Sequence, residues 1–213
     1  MEAALQEHRG IQMPHETAVE DSDAGLMLRI RDGDAGAFDQ LFVRHMRAVI
    51  NFAYRFVRNR GVAEELAQDI FLRVYEAAAG YQVQAKFTTW LYRIATNVCL
   101  NEIRKPHVRA ALRNEGSDGD AGLSEVRETG GIFTPPDRIL EQQAVSRALR
   151  HALKRLPEKQ RAAFILNKYQ ELSYGEVAEV MKISEKAVRS LIHRAKETLA
   201  EELKPLLPEL MTL

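Results

Sequence analysis

Residues 107–137 form a long segment that separates two blocks in which apolar side chains recur at helical spacing. The segment is rich in glycine, serine and acidic residues, lacks helical periodicity and closes with two prolines. A connection of about thirty residues is too long for an ordinary loop inside one compact domain. The sequence therefore predicts two domains, residues 23–106 and 138–213, joined by this flexible linker and preceded by a disordered acidic tail over residues 1–22.

The N-terminal block predicts four helices and no strand, because no segment alternates with a period of two. Asp23 is the candidate N-cap of the short first helix, and Gly80 is the candidate left-handed residue after the third. Pro106 is expected to end the fourth helix. The second helix carries a wide apolar stripe made of Phe38, Leu41, Phe42, Val49, Phe52, Ala53 and Phe56.

The C-terminal block predicts a helix-turn-helix. Ser173 and Glu176 have the spacing of a capping box, and Ser184 is placed to cap a longer helix after a short turn. Any solvated helix has a charged outer face, but the capped helix, tight turn and amphipathic second helix together favour binding in the major groove of DNA. On the longer helix the apolar face comprises Val188, Leu191, Ile192, Ala195 and Leu199, and the opposite face Lys186, Arg189, Ser190, His193 and Glu197.

The stretch FTTWLYRIATNVCLNEIRK, residues 87–105, predicts a helix with two different flanks. The buried face comprises Phe87, Leu91, Ile94, Ala95 and Val98, widened by Tyr92, Cys99 and Ile103. The other flank aligns Trp90 with Arg93, Asn97 and Arg104. Aromatic side chains stack on unpaired bases, and Arg and Asn contact phosphates or base edges. Trp90 could equally close the core while the polar groups keep the helix soluble, so the residues alone leave both interpretations open.

The remaining features exclude several classes of function. No apolar run approaches the ~20 residues that span a bilayer, and the N-terminus lacks the pattern of a signal peptide. The single cysteine, Cys99, cannot form an intramolecular disulfide and is not expected to have a redox role, and no cysteine–histidine spacing predicts a metal site. No catalytic constellation or phosphate-binding loop occurs. We therefore expect a cytoplasmic protein that is not an enzyme and that uses no cofactor.

The helix-forming stretch AEELAQDIFLRVYEAA places several acidic and polar residues off its apolar face. A solvated surface and a partner-binding surface would both have this pattern. The residues themselves do not choose between the two.

The chain resembles the sigma-70 family of bacterial sigma factors, within it the compact extracytoplasmic-function (ECF) group that keeps only regions 2 and 4. AFDQLFVRHMRAVINFAYRFVRNRGVAEELAQDIFLRVYEA resembles regions 2.1–2.2, and KFTTWLYRIATNVCLNEIRK resembles regions 2.3–2.4. LPEKQRAAFILNKYQELSYGEVAEVMKISEKAVRSLIHRAKETL resembles region 4. The core F-x-T-W-L-Y-R-I-A-x-N is the most specific of these motifs. The resemblance covers residues 22–105 and 138–203.

This resemblance implies an all-α protein of two small helical domains, a region 2 bundle and a region 4 helix-turn-helix, that recruits RNA polymerase to promoters. It implies a contact with the β′ clamp of core polymerase through Glu64, Glu65, Gln68, Asp69 and Leu72, and a further contact with the β flap. Melting and holding the promoter −10 element would fall to Lys86, Phe87, Thr88, Thr89, Trp90, Arg93, Asn97 and Arg104. Reading the −35 element would fall to Lys186, Arg189, Ser190, His193 and Arg194. The family also implies an anti-sigma factor as a partner, and a linker that threads the polymerase cleft.

Two other functions remain to be weighed against this one. A repressor or activator that uses only the C-terminal domain would bind a palindrome as a dimer, yet no segment reads as a dimerisation helix. A sigma mimic that titrates an anti-sigma factor need keep neither Trp90 nor the basic helix face. The sequence departs from the family at Gly175, which costs ~1 kcal/mol relative to Ala in a helix. It departs again at YQVQAK before Phe87, which leaves the identity of the captured base open.

Overall fold

The structure is a computed structural model that describes residues 22–114, 148–149 and 151–204. Within these residues the secondary structure is helical, which confirms the all-α fold class. The helices are α1 (Asp23–Arg31), α2 (Ala35–Val57), α3 (Arg60–Ala77), α4 (Phe87–Arg104), α5 (Pro106–Asn114), α6 (Glu158–Tyr169), α7 (Tyr174–Met181) and α8 (Glu185–Leu203). A short 3₁₀ turn, Ala78–Gly80, follows α3, and residues 151–155 are helical before α6. The predicted acidic tail and most of the predicted linker lie outside the described residues.

Helices α1–α5, the N-terminal unit, pack around a core of large apolar side chains. Leu41, Phe52, Ile70 and Leu91 are all fully buried. An aromatic cluster joins α2 to α3, with the Phe42 and Phe71 rings 4.9 Å apart and close to edge-on. Burial of each such side chain stabilises the fold by ~1.5–3 kcal/mol. The apolar stripe that predicted α2 is therefore the surface that holds the bundle together.

Two predicted helix ends in this unit are wrong. Ser22, not Asp23, caps α1: its hydroxyl accepts a hydrogen bond from the Gly25 amide at 3.0 Å. Asp23 accepts hydrogen bonds from Arg44 at 2.6 Å and from His45 at 2.9 Å. Those hydrogen bonds tie α1 to α2 and lower the pKa of Asp23, although partial burial of the carboxyl opposes them. Gly80 does not adopt the left-handed conformation, because α3 runs on into the 3₁₀ turn that Gly80 ends.

Helix α5 occupies the start of the segment that the sequence analysis assigned to the linker. Pro106 ends α4 as expected and then opens α5, where its fixed φ and missing N–H are tolerated. Leu112 packs against the core, and Arg109 forms an ion pair with Glu158 at 3.3 Å. These two contacts explain why the chain stays helical here despite a glycine-rich continuation.

Helices α6–α8 and the helical residues before them form the C-terminal unit, which contains the predicted helix-turn-helix. The capping box is confirmed: Ser173 accepts a hydrogen bond from the Glu176 amide at 3.2 Å, and Glu176 accepts one from the Ser173 amide at 2.8 Å. Lys182 ends α7 in the left-handed conformation, and Ser184 caps α8 as predicted. The tight turn thereby fixes the angle between α7 and α8.

The two units pack directly on each other. One continuous core of buried apolar residues runs through both, and α7 lies along α4. The Arg161 side chain of α6 is buried and donates a hydrogen bond to the Phe56 carbonyl at the end of α2, at 3.3 Å. This packing places the surface of α4 beside the helix-turn-helix.

Replacing Gly175 with Ala is expected to stabilise the helix-turn-helix. A Cβ at this position in α7 would meet only Ser173 Oγ, at 4.0 Å, which is an ordinary contact. Ala restricts the unfolded chain, an effect worth about 0.4–1 kcal/mol that should raise Tm by ~2–4 °C. The matched control is Gly33→Ala, because Gly33 has a φ of 97° that strains any other residue. Thermal unfolding should give opposite signs for the two variants, and a lower Tm for Gly175→Ala would contradict this account.

Glu176→Gln is expected to destabilise the protein in a pH-dependent way. The pKa of Glu176 is lowered from 4.5 to about 2, first by the hydrogen bond from Lys86 and then by those from Ser173. Because the folded-state pKa is the lower one, the ionised carboxylate stabilises the fold above pH 4.5, and this contribution is lost as the pH falls toward 2. Urea unfolding of both proteins measures the difference at neutral pH and at about pH 3. The difference should shrink at the acid pH, and a constant difference would show that the charge of Glu176 is not what stabilises.

Candidate nucleic-acid interface

The polar face of α8 is exposed in the structure. Val188, Ile192 and Ala195 are buried against the rest of the C-terminal unit, as the apolar periodicity predicted. The side chains predicted to read the −35 element are all exposed: Lys186, Arg189, Ser190, His193 and Arg194. Together they form a basic surface on α8, and a helix with such a surface can enter the major groove of DNA.

Two carboxylates lie among these donors: Glu197, which the sequence analysis placed on this face, and Glu185, which it did not name. Arg189 forms an ion pair with Glu185 at 2.6 Å, and its guanidinium lies 5.6 Å from the Tyr174 ring centre. His193 lies 3.3 Å from Glu197. Both pairs have i, i+4 spacing, so the helical period alone could have found them. They hold two donors in place on the helix surface, and Glu185 partly neutralises Arg189.

The polar flank of α4 combines aromatic and basic side chains as predicted. Trp90 is half-buried, with its ring 5.2 Å from the Tyr81 ring in an edge-on arrangement. Thr88 and Arg93 are half-buried, and Lys86, Asn97 and Arg104 are exposed. The flank therefore offers both stacking surfaces and cationic donors to a nucleic-acid strand.

Phe87 and Thr89 do not share the exposure of the other predicted −10 residues. Phe87 is 4 % exposed, and its ring packs between His45 and Trp90 at 5.3 and 5.9 Å. Thr89 is 3 % exposed. The helical period correctly predicted that Phe87 belongs to the core. Because both side chains are buried, neither Phe87 nor Thr89 can contact a base in this conformation.

A cleft of about 450 Å³ opens beside the N-terminal end of α4. Tyr81 and Thr89 line it, and the Tyr81 Oη and Thr89 Oγ1 atoms are buried without a hydrogen-bond partner among the described residues. Burial, and secondarily the Asp23 carboxylate, raise the pKa of Tyr81, so the phenol stays protonated and can donate. The other lining residues are Gly80, Gln82, Gln84, Ala85, Trp90, Arg93 and Glu179. The half-buried Trp90 ring at this cleft offers a stacking surface for a flat heteroaromatic ring.

Tyr81 lines this cleft and was not named in the sequence analysis. It precedes α4 in the loop YQVQAK, where no helical period applies. Its only sequence signal is an aromatic residue at the start of a polar loop.

The predicted polymerase surface on α3 is also open. Glu65, Gln68 and Leu72 are exposed, and Glu64 and Asp69 are half-buried. Leu72 is 56 % exposed and Tyr75 is 53 % exposed, so two large apolar side chains stand among acidic ones. A protein partner would bury apolar area here that water now contacts. Tyr75 extends the residues that the sequence analysis assigned to this surface.

Other kinds of site find no support in the described part of the chain. Among residues 22–114, 148–149 and 151–204, no group of three His, Cys, Asp or Glu side chains could hold a metal ion. No helix within those ranges is long and apolar enough to cross a membrane. Cys99 is fully buried, and burial raises the pKa of its thiol well above the ordinary value. The reactive thiolate is therefore strongly disfavoured, which argues against a redox role.

Comparison with known families identifies both units. Residues 41–109 match the model of sigma-70 region 2, and residues 146–199 match that of sigma-70 region 4. The matches cover α4 with its flanking loop, and the helix-turn-helix as far as residue 199 of α8.

Curated relatives match over nearly their whole length. The chain is 30% identical over 196 residues to the RNA polymerase sigma-H factor of Pseudomonas aeruginosa, covering 89% of this chain and 98% of the relative. It is 31% identical over 180 residues to the ECF sigma factor SigW of Bacillus subtilis, covering 84% and 95%. It is 32% identical over 189 residues to the ECF sigma-E factor of Escherichia coli strain K12, covering 87% and 96%.

Solved structures show the same fold. CnrH, in complex with the cytosolic domain of CnrY, superposes with a TM-score of 0.61 at 24% identity, over 87% of this chain and 99% of that one. The sigma factor RpoE of Bartonella quintana, in complex with the anti-sigma factor NepR, superposes with a TM-score of 0.57 at 22% identity, over 78% and 96%. The two family matches and the curated relatives show that the chain belongs to the sigma-70 family of RNA polymerase sigma factors, in its extracytoplasmic-function group.

Proposed function

We propose that this protein binds core RNA polymerase in the cytoplasm and directs it to promoters by reading a −35 element and holding open a −10 element. The observation that carries the proposal is the aromatic cleft beside the cationic flank of α4. A repressor that binds duplex DNA through a helix-turn-helix has no use for such a cleft. A sigma factor needs it, because an unpaired base must be held away from its partner strand.

Recognition of the −35 element falls to α8. Its buried face is anchored in the C-terminal unit, so the basic face can enter the major groove without a change in the helix. Arg189 presents a planar fork that matches the acceptors of guanine, and Lys186 and Arg194 are placed for phosphates. Ser190 and His193 can donate to base edges. Arg194, which lies at the edge of the predicted face, is exposed and contributes charge there.

Holding the −10 element falls to the cleft and the flank of α4. A base that leaves the duplex can stack on Trp90, in the cleft that Tyr81 and Thr89 help to line. Stacking of an unpaired base on an aromatic side chain is worth ~1–3 kcal/mol, which helps hold the strand open without ATP. Further along α4, Arg93, Asn97 and Arg104 would contact the phosphates of the same strand. The buried Phe87 ring packs against the Trp90 ring, 5.9 Å away, and holds it in position. Phe87 itself makes no contact with a base.

The polymerase contact falls to α3. Its exposed Leu72, with the acidic and polar Glu64, Glu65, Gln68 and Asp69, forms an apolar patch inside an acidic rim, which suits a basic helical surface such as the β′ clamp. The C-terminal unit would take the β flap as its partner. The likeness to the sigma factor RpoE, solved in complex with the anti-sigma factor NepR, supports an anti-sigma factor as a third partner.

The direct test is transcription by core polymerase reconstituted with this protein. Promoter-specific, salt-sensitive transcripts are expected, and sequencing their 5′ ends on genomic templates will give the two promoter elements. If core polymerase saturated with the protein starts at no promoter, the proposal fails. A gel shift in which the free protein binds a palindrome as a dimer would favour the repressor instead.

Replacing Arg189 and His193 together with Ala is expected to reduce transcription from promoters that carry a −35 element. Each lost base contact costs about 1–3 kcal/mol, so output should fall by tenfold or more. Lys168→Ala, an exposed cation on α6, is the control and should leave output unchanged. Unchanged dependence on the −35 sequence in the double variant would contradict the assignment to α8.

Trp90→Ala is expected to reduce open complexes while leaving closed complexes intact. Loss of one stacking surface should lower the open-complex fraction by about fivefold to a hundredfold, measured by permanganate reactivity of unpaired thymines. Trp90→Phe keeps a ring that can stack and should retain most of the activity, which separates stacking from bulk packing. Equal permanganate reactivity in Trp90→Ala and wild type would contradict a role for Trp90 in holding the strand.

A further inference from the structure

The first turn of α4 carries the ring that lines the cleft, but this turn has no side-chain cap. Lys86 occupies the N-cap position, and its side chain makes no hydrogen bond to the backbone amides of the helix. Its ammonium group lies instead 2.9 Å from a carboxylate oxygen of Glu176. Uncapped helix ends fray more readily than capped ones. The position of Phe87 and Trp90 in this turn therefore depends on the side chains that pack against them.

The support beneath this turn comes from His45 of α2. The His45 ring lies 5.3 Å from the Phe87 ring, and the Phe87 ring lies 5.9 Å from the Trp90 ring. Phe87 is buried, so its neighbours fix where its ring lies. His45, Phe87 and Trp90 thus form an aromatic row that leads from α2 to the wall of the cleft.

The first ring of the aromatic row is oriented by Asp23 of α1. The His45 Nε2 atom lies 2.9 Å from one carboxylate oxygen of Asp23, and the Arg44 guanidinium donates to the other oxygen at 2.6 Å. Although partial burial opposes it, the hydrogen bonds from His45 and Arg44 lower the pKa of Asp23. The carboxylate is therefore ionised at neutral pH and can only accept. Nε2 of His45 carries the donated proton, and this hydrogen bond fixes the orientation of the ring.

The same carboxylate faces the second aromatic wall of the cleft. Burial, and secondarily the charge of Asp23, raise the pKa of Tyr81. Helix α1 also packs on the 3₁₀ turn that directly precedes Tyr81, and the Tyr81 ring lies 5.2 Å from the Trp90 ring. Helix α1 thus supports both walls, one through the aromatic row and the other through the 3₁₀ turn.

Docking of α1 on the bundle has other sources than Asp23. Leu26 is fully buried in the core, and Arg29 joins α1 to the start of α2 through an ion pair with Asp34 at 2.7 Å. Exchange of a buried ion pair for apolar side chains often leaves the stability of a protein unchanged. The pair of Asp23 and His45 adds direction instead, because a hydrogen bond orients a ring whereas apolar burial is non-directional.

We propose that Asp23 and His45 are positioning residues for capture of the −10 strand: they fix the Phe87 ring and through it hold Trp90 in the stacking position. Neither residue contacts DNA. The proposal rests on the proposed function in one respect, since it takes Trp90 as the surface on which an unpaired base stacks. It gives α1, which carries none of the predicted site residues, a role in promoter opening.

The test is Asp23→Asn in the full chain, assembled with core polymerase on a promoter found by the 5′-end sequencing. The dependence of open-complex formation on holoenzyme concentration gives two quantities, the affinity of the closed complex and the rate at which closed complexes open. Asp23→Asn should lower the opening rate by about threefold to tenfold, because the Trp90 ring remains but is no longer held. Closed-complex affinity should stay at the wild-type value.

A merely structural role of Asp23 gives a different result. Partial unfolding lowers the concentration of active protein, which appears as a weaker apparent affinity and leaves the opening rate unchanged. That result, or an Asp23→Asn variant that matches wild type in both quantities, overturns the proposal.

Asp34→Asn is the matched control. Asp34 also accepts a hydrogen bond from an arginine, and its second contact is the Ala37 amide, with no ring of the aromatic row among these partners. Asparagine can keep the cap, so the variant loses the ion pair with Arg29 and leaves the aromatic row intact. Its opening rate should equal that of wild type. An opening rate as low as that of Asp23→Asn would show that any loosening of α1 suffices, and would overturn the specific role of Asp23.

The single tryptophan of the chain gives a readout without polymerase. In free Asp23→Asn the acrylamide quenching constant of Trp90 should rise and its fluorescence anisotropy should fall, because the ring is less restrained. His45→Phe keeps a ring against Phe87 but loses the hydrogen bond to Asp23, and should change both signals in the same direction. Since the two residues act as a pair, the double variant should open promoters no more slowly than the slower single variant. Additive losses would overturn the pairing.

The Trp90→Ala variant separates this proposal from the proposed function. If Trp90→Ala slows opening but Asp23→Asn and His45→Phe do not, the positioning role is overturned and the −10 assignment of Trp90 stands. If Asp23→Asn changes the Trp90 signals but neither it nor Trp90→Ala slows opening, the −10 assignment falls and the positioning role falls with it.

Discussion

The burial of one face of α4 is the constraint on which the rest of the structure depends. Leu91 and Ala95 are fully buried in the shared core, and Phe52 of α2 contacts Tyr92 with ring centres 5.0 Å apart. Because that face is fixed by packing, the opposite flank is held at a defined angle to α3 and to the loop that carries Tyr81. A single amphipathic helix thus determines where the aromatic cleft lies, which side chains reach it, and which surface is left for α7.

Much of the fold was predictable because it depends on residues that are close in sequence. The caps at Ser173 and Ser184, the break at Pro106 and the buried faces of α4 and α8 all follow from spacing within one turn or one helix. The exposed face of α8 was predictable for the same reason. Local rules are sufficient wherever the partner atoms lie within about four residues of each other.

Several of the features that were missed depend on contacts between distant parts of the chain. Aspartate often caps helices, which is why Asp23 was the predicted N-cap. Its carboxylate instead binds Arg44 and His45 on another helix, and Ser22 occupies the N-cap position. Thr89 shares its helix with exposed polar residues, yet it is buried under the loop that begins at Tyr81. The packing of the two units involves pairs such as Lys86 with Glu176, which no helical period can reveal. The sequence therefore predicts which face of each helix is apolar and which is polar, but not which other element packs against that face.

If α8 reads the −35 element as proposed, the pairing of Arg189 with Glu185 has a consequence for discrimination between DNA sequences. Arg189 must leave that carboxylate, 2.6 Å away, before it can bind a base. A correct base offers two acceptors in the right geometry and compensates for the lost pair, whereas a wrong base does not. On non-matching DNA the arginine stays with Glu185, and the carboxylate adds repulsion against the phosphates nearby. The intrahelical pair thus lowers affinity for every sequence but lowers it least for the right one, which shortens the time that the protein spends on the rest of the genome.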